Sequence, residues 1–161
     1  MRVKAQIYVS APPHAVWEVI SDPARQLSYM SGITRWEVSG DRPAGLGARY
    51  RMLLRVGSAE VGGLIEVVEF AEPREIAWTS VTGVDQRGRW RLREAPEDRT
   101  KVELRLAYGV AGSGLGGWLA EHVASRTVSA HLRRTLEQLK RLVEADQVRA
   151  RAAARRTPQR A

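Results

Sequence analysis

The feature that most constrains the fold is a long amphipathic helix, predicted near the end of the chain at residues 112–144. Its inward positions recur at steps of three and four residues, which places them on one face of a helix. These positions are Leu115, Leu119, His122, Ser125, Ser129, Leu132, Leu136, Leu139 and Val143. The face is apolar in its C-terminal half and more polar near its start, so the preceding chain must supply a surface for it to cover.

That preceding chain predicts a sheet with two short helices after its first strand. Val3, Ala5, Ile7 and Val9 alternate with polar residues, which is the period of a half-buried strand. Prolines and an aspartate at 12–13 and 22–23 are typical helix starts, and the second short helix is expected to end near residue 29. The predicted strands are residues 2–9, 34–39, 48–56, 59–69, 74–82, 87–94 and 101–110.

Turn lengths predict how these strands pair. A two-residue hairpin at residues 57–58 pairs Val56 with Ala59. In every other pair of these two strands, the two residue numbers should likewise add up to 115. Through the next two turns the same reasoning predicts Ile65 beside Trp78, Gly63 beside Ser80, Ser80 beside Trp90, and Thr82 beside Gly88. The inner face would then carry a patch of small residues at positions where a close-packed core would have large side chains.

The predicted patch, surrounded by aromatic rings, indicates a small-molecule cavity between the sheet and the last helix. An alternative is that Trp118 fills the gap. The predicted lining residues are Tyr50, Met52, Gly63, Ile65, Trp78, Ser80, Gly88, Trp90, Leu106, Tyr108, Trp118, Leu119 and His122.

Composition limits the remaining possibilities. The chain has no cysteine and no HExxH or clustered ligand pattern, so no metal and no cofactor are predicted. Residues 112–117 match GxGxxG, but no strand follows the helix, so a dinucleotide site is not expected. Without a signal peptide or an apolar span, the protein is expected to be cytoplasmic, with no transmembrane segment.

The net charge of +8 is concentrated at the C-terminus. Five arginines and no acid follow residue 146, which leaves 21 basic and 18 acidic residues before that point. We therefore predict one α+β domain at 1–146 and a basic tail at 147–161, which extends the helix by a turn or two and is then disordered. The tail is expected to make at most a weak anionic contact, and no specific nucleic-acid partner is expected.

Four segments resemble one family in both order and sequence. They are APPHAVW (11–17), SDPAR (21–25), GLG (45–47) and EFAEPREIAW (69–78). With the order of elements, they resemble the START-like SRPBCC superfamily, which includes polyketide cyclases and dehydrases, lipid-transfer domains and the birch pollen allergen. The resemblance covers about residues 3–143. It implies the helix-grip fold, with a seven-stranded curved antiparallel sheet around the last helix and a hydrophobic-ligand cavity between them.

The resulting prediction is a protein that binds a hydrophobic lipid, isoprenoid or polyketide. One alternative is an enzyme of the polyketide cyclase or dehydrase kind, in which His122, Tyr108 and Arg126 polarise a carbonyl or enol. A further alternative is a module that covers its groove with a partner protein. The arginines at 87, 89, 91 and 93 are expected to form a solvated outer face of the sheet.

Overall fold

The structure, a computed structural model, describes the backbone of residues 1–109 and 115–156, and the side chains of residues 1–109 and 124–156. Within these residues the strands are β1 (Arg2–Val9), β2 (Ile33–Ser39), β3 (Arg49–Val56), β4 (Ala59–Ala71), β5 (Glu75–Gly83), β6 (Gln86–Ala95) and β7 (Arg99–Tyr108). The helices are α1 (Pro13–Ile20), α2 (Gln26–Tyr29) and α3 (Leu115–Arg156), with a 3-10 turn (Pro23–Arg25) before α2.

The seven strands form one antiparallel sheet in the order β1-β7-β6-β5-β4-β3-β2. The sheet curls around the C-terminal half of α3, with α1 and α2 beside it. This arrangement confirms the predicted helix-grip fold. No helix in the described part of the chain is long and apolar enough to span a membrane.

Local chemistry explains the two short helices. Proline occupies the first position of α1, where its missing N–H removes no hydrogen bond. The Asp22 side chain accepts a hydrogen bond from the Ala24 N–H at 2.9 Å and so caps the 3-10 turn. Tyr29, at the end of α2, is completely buried, and its hydroxyl donates to Gln26 Oε1 at 2.7 Å. Burial raises the pKa of the Tyr29 phenol, so it stays protonated as a donor.

The register of β3 with β4 agrees with the sequence throughout. Val56 pairs with Ala59 and Tyr50 with Ile65, and all eight pairs sum to 115. Opposite charges meet on the outer face, where Arg49 Nε lies 2.7 Å from a carboxylate oxygen of Glu66.

The predicted registers of the next two pairs of strands are wrong. β4 has irregularities between Leu64 and Ile65 and between Val67 and Glu69. The main difference arises at the turn, where Ala71 pairs with Glu75, so that the residue numbers sum to 146, against 143 for the predicted pair of Ile65 with Trp78. Each irregularity changes this sum by one and the two cancel, so that Val67 pairs with Trp78, Ile65 with Ser80 and Gly63 with Gly83. Between β5 and β6, Gly88 pairs with Trp78 rather than Thr82, and Trp90 pairs with Ile76 rather than Ser80.

The end of β5 explains this second shift. Thr82 and Gly83 pair with β4, while the described pairs of β5 with β6 end at Thr79 and Arg87. Ser80 Oγ then accepts a hydrogen bond from the Gln86 N–H at 3.1 Å and closes the turn. The turn is therefore longer than the sequence pattern suggests.

Helix α3 packs mainly along β1 and buries one face. Its buried residues in the described part are Val128, Leu132, Thr135, Leu136, Leu139 and Val143. The apolar positions predicted in the C-terminal half of the helix are thus confirmed. Ser125 and Ser129 are only half-buried, and Val128 takes the buried position between them.

Two polar contacts attach the helix to the start of the chain. Glu144 accepts a hydrogen bond from the Ser10 N–H at 2.8 Å, and Lys140 donates to the Tyr8 carbonyl at 3.0 Å. Residues 147–156, which the sequence assigns to the tail, continue the helix, and the side chains from Val148 onward are exposed. The division at residue 146 stays a prediction.

Candidate functional site

A cavity with two adjoining chambers lies on the inner face of the sheet. The first chamber, between the sheet, the loop after α2 and α3, has a volume of about 80 Å³. Its apolar lining residues include Met30, Ile33, Trp36, Met52, Leu54, Ile65, Val67, Phe70, Ile76, Trp78, Trp90, Leu104, Leu106 and Leu132. Its polar lining residues are Ser21, Gln26, Ser31, Tyr50, Gln86, His131 and Thr135. The described lining contains no aspartate, glutamate, lysine or arginine, which favours an uncharged ligand.

The second chamber has a volume of about 280 Å³ and is also apolar. Its described lining includes Val56, Val61, Val84, Tyr108, Ala124 and Val128. It shares four lining residues with the first chamber, and these are Met52, Leu54, Gln86 and Leu106. Gln86 Nε2 lies 3.6 Å from Met52 Sδ, so these two side chains meet at the boundary between the chambers. The two chambers are therefore adjacent, and flexible side chains lie at their boundary.

Two buried hydrogen-bond donors in the first chamber have no partner among the described residues. They are the indole N–H groups of Trp36 and Trp78. An indole nitrogen can only donate, and a buried donor without an acceptor costs roughly 1–3 kcal/mol. Each nitrogen is closed to solvent, so a ligand oxygen would have to displace neighbouring side chains to remove that cost.

Tyr50 fixes one of these indoles. Its ring stacks on Trp36 with centroids 4.9 Å apart and an interplanar angle of 26°. The Tyr50 hydroxyl donates to the Pro43 carbonyl at 2.9 Å. Burial, with the nearby Asp22 charge, raises the pKa of the Tyr50 phenol, so this hydrogen bond persists through the neutral range.

The structure adds a polar group that the sequence analysis missed, at His131. Its Nε2 lies 3.1 Å from the Arg55 carbonyl, which can only accept, so in the neutral ring Nε2 carries the hydrogen. Its Nδ1 then accepts from Ser31 Oγ, 3.0 Å away. Gly32 makes room for the ring, since a Cβ at Gly32 would lie 2.6 Å from the His131 Cε1 atom. No local pattern marks this role, because only the fold brings Ser31 and His131 together from distant positions.

Six of the predicted cavity residues line the first chamber, namely Tyr50, Met52, Ile65, Trp78, Trp90 and Leu106. Tyr108 lines the second chamber together with Met52 and Leu106. Gly63, Ser80 and Gly88 are in neither lining set. The glycines instead allow close approach, since a Cβ at Gly63 would lie 2.1 Å from the Thr82 carbonyl oxygen.

The predicted catalytic group is only partly described. Arg126 is exposed and lines neither chamber. The side chains of Trp118, Leu119 and His122 lie outside the described residues, as do residues 112–114, the start of the GxGxxG match. Their roles stay predictions.

Comparison with solved structures supports the fold. The protein is similar to TTHA0849 from Thermus thermophilus, with 23% identity, a TM-score of 0.78, and coverage of 91% of this chain and 99% of that one. It is similar to the Zhui aromatase/cyclase from Streptomyces sp. R1128, with 20% identity, a TM-score of 0.74, and coverage of 89% and 93%. It is also similar to a START superfamily protein from Mycobacterium smegmatis, with 16% identity, a TM-score of 0.69, and coverage of 88% and 98%.

At these identities the structural likeness shows the fold alone. No curated protein matches the sequence significantly. Residues 1–144, by contrast, match a family described as polyketide cyclase / dehydrase and lipid transport. The chain belongs to this polyketide cyclase / dehydrase and lipid transport family.

Proposed function

We propose that the protein binds an uncharged, hydrophobic small molecule, such as a lipid, isoprenoid or polyketide, in the two chambers. The observation that carries this proposal is the apolar lining of both chambers, without a charged side chain in the described lining of either. Burial of each ligand methylene would contribute roughly 0.8 kcal/mol to binding.

The indole donors of Trp36 and Trp78 add a second requirement. A site that presents buried donors discriminates against a ligand without acceptors, because the donors then stay unpaired. The preferred ligand therefore carries at least one carbonyl, hydroxyl or ether oxygen.

Two measurements test the proposal. Organic extraction and mass spectrometry of the purified protein should yield a co-purified hydrophobic molecule. In addition, 9-fluorenone and fluorene form a matched pair that differs by one carbonyl oxygen. We expect both to bind, with fluorenone about tenfold tighter, since one hydrogen bond to a buried donor is worth about 1.4 kcal/mol.

Variants of the two indoles sharpen this comparison. Trp36→Phe and Trp78→Phe remove the N–H groups, and at least one of them should reduce the advantage of fluorenone while fluorene still binds. Trp17→Phe is the matched control, because Trp17 is buried against Phe70 and lines neither chamber. Failure of a range of hydrophobic probes to bind, with no extracted molecule, would contradict the proposed function.

A second candidate is the cyclase-like enzyme, and His131 favours it. This histidine lines the first chamber with its tautomer held by Arg55 and its Nδ1 facing Ser31. Both ring nitrogens contact protein groups, so His131 would exchange a proton with a bound ketone through the Ser31 hydroxyl, which lines the same chamber. Tyr108 would act from the second chamber. His131→Gln and Tyr108→Phe should then lower turnover of a poly-β-ketone thioester with little change in affinity. Unchanged turnover in both variants would contradict the enzyme and leave ligand binding as the only proposed function.

A further inference from the structure

The outer face of the sheet carries a basic groove on the side opposite the two chambers. The groove has a volume of about 770 Å³, within the range of small-molecule sites. Six basic side chains line it, and these are Arg2, Lys4, Arg87, Arg89, Arg91 and Arg105. No aspartate or glutamate is in its described lining.

The sheet register places these cations around one small residue, Ala107. Arg87 on β6 and Arg2 on β1 lie directly opposite Ala107 on its two neighbouring strands. Partners in antiparallel strands have Cα atoms about 4.5–5.5 Å apart and point to the same face. Arg105 lies two residues earlier on the strand of Ala107 and points the same way.

The row beside Ala107 is also basic. Arg105 pairs with Arg89 on one side and with Lys4 on the other. Five cationic side chains therefore border a residue that contributes only a methyl group, which leaves a pit with basic walls. Like charges directly opposite each other on a sheet destabilise it, so this arrangement has an electrostatic cost.

Nearby acids balance only part of this charge. Arg89 contacts Glu69 at 2.8 Å and also Glu75, which in turn contacts Arg91 at 3.1 Å. Arg105 contacts Glu103 at 2.6 Å, and this hydrogen bond holds the pKa of the Glu103 carboxyl below its usual range. Among the described residues, only three of the six cations thus contact a carboxylate, and these are Arg89, Arg91 and Arg105.

The two arginines nearest the pit are without such partners. Within the described part of the chain, neither Arg2 nor Arg87 forms an ion pair with an acid. Both are exposed and available to a ligand from solution.

We propose that the pit over Ala107 binds a phosphate group of a soluble phosphorylated molecule, with Arg2 and Arg87 as its principal ligands. Guanidinium groups present parallel N–H donors that match phosphate oxygens, and a doubly charged anion would offset the excess positive charge. The residues that carry this proposal face away from the chambers, so it stands independently of the hydrophobic ligand.

The chemistry of the groove favours a discrete phosphate group over a nucleic acid or a membrane. The large aromatic residue in its described lining, Trp78, belongs to the inner face, so the groove does not offer the stacked aromatic rings that single strands require. A recessed pit is also poorly placed to meet a flat bilayer, while a protruding phosphate group can enter it.

Pyrophosphate titration of the ¹⁵N-labelled full chain tests the proposal. We expect saturable shifts of the Ala107 and Arg87 backbone amides, with sodium chloride at matched ionic strength giving only small linear shifts. Arg87→Gln and Arg2→Gln should each weaken binding about fivefold or more. Arg93→Gln is the matched control, because Arg93 lies on the same strand and face but pairs with Lys101 outside the groove lining.

The possible results distinguish a specific phosphate site from diffuse electrostatic attraction and from a membrane contact. Saturable binding that Arg87→Gln weakens and Arg93→Gln leaves within twofold supports the site. Linear shifts, or equal weakening by all three variants, would overturn it as diffuse electrostatic attraction. Binding to phosphatidylglycerol vesicles without binding to pyrophosphate would also overturn it in favour of a membrane contact. Each variant is first checked for a native amide spectrum.

Discussion

Trp78 lies against Gly88, its partner across β5 and β6, so closely that a Cβ at Gly88 would be 1.8 Å from the indole Cζ2. The indole therefore occupies the volume that the sequence pattern assigned to a gap on the inner face. This position also makes Trp78 part of the first chamber, with its buried N–H unpaired among the described residues.

Gly88→Ala should destabilise the protein, because the added methyl group overlaps a rigid ring rather than the end of a flexible side chain. We expect the free energy of unfolding to fall by about 1–3 kcal/mol, measured by urea denaturation, with a changed Trp78 indole signal. Gly109→Ala is the control, since its Cβ would meet its nearest atom at 3.8 Å. An equal loss of stability in both variants would contradict this account of Gly88.

Leu139→Ala tests the contact between α3 and the sheet. Leu139 is completely buried, so the truncation removes apolar contacts and leaves a cavity. We expect a loss of about 2–5 kcal/mol in the free energy of unfolding. Val148→Ala, at a position 65% exposed on the same helix, should change it by less than about 0.5 kcal/mol. Similar midpoints for the two variants would show that the helix is not packed as described.

Glu144→Gln tests the contact between α3 and the start of the chain. Burial raises the pKa of the Glu144 carboxyl, but the hydrogen bonds from Lys140 and from the Ser10 N–H together lower it by more. The net result is a pKa below the usual value. A carboxyl with a lowered folded-state pKa stabilises the protein above its unfolded pKa, about 4.3, and loses this contribution as pH falls through the folded value.

The wild type should therefore exceed Glu144→Gln by about 0.5–1.5 kcal/mol at pH 7, and the difference should shrink below about pH 4.3. Urea denaturation at a series of pH values measures it. Glu137→Gln, at an exposed position of the same helix, is the control and should show a smaller difference at pH 7. A difference independent of pH would rule out the charge as its cause.

Thr100→Val tests a buried hydrogen bond at the joint between β1 and α1. Thr100 is completely buried, and its hydroxyl donates to the Ala11 carbonyl at 2.7 Å. Valine keeps the shape but leaves that carbonyl without this donor, so we expect a loss of about 1–3 kcal/mol in thermal or urea unfolding. Thr82→Val, at an exposed strand position, should be close to neutral. Neutral behaviour of Thr100→Val would show that water or another donor replaces the hydroxyl.

Much of the fold follows from local patterns in the chain. The alternation at residues 2–9 and the proline starts of the short helices act through neighbouring residues, so they can be recognised without tertiary information. The two-residue turn at Gly57 likewise sets every pair of β3 with β4, because a short turn leaves no freedom for a shift.

The sites depended on interactions between distant residues. The turn that pairs Ala71 with Glu75 sets the pairs of β4 with β5, and the longer turn after Thr79 sets those of β5 with β6. Neither turn has a clear local signal. As a result, Trp78 contacts Gly88 on the inner face, where the sequence pattern predicted a patch of small residues. The pairing of Ser31 with His131 also requires the folded sheet and helix.

The sequence by itself thus determined the order of elements, the buried face of the C-terminal half of α3 and the curved sheet that this half covers. These features depend on hydrophobic period and turn chemistry, which act over a few residues. Only the tertiary structure decided which residues line the chambers, the unpaired indole N–H groups of Trp36 and Trp78, and the basic pit over Ala107. Those features depend on strand register, and a single bulge changes which side chains meet across the sheet.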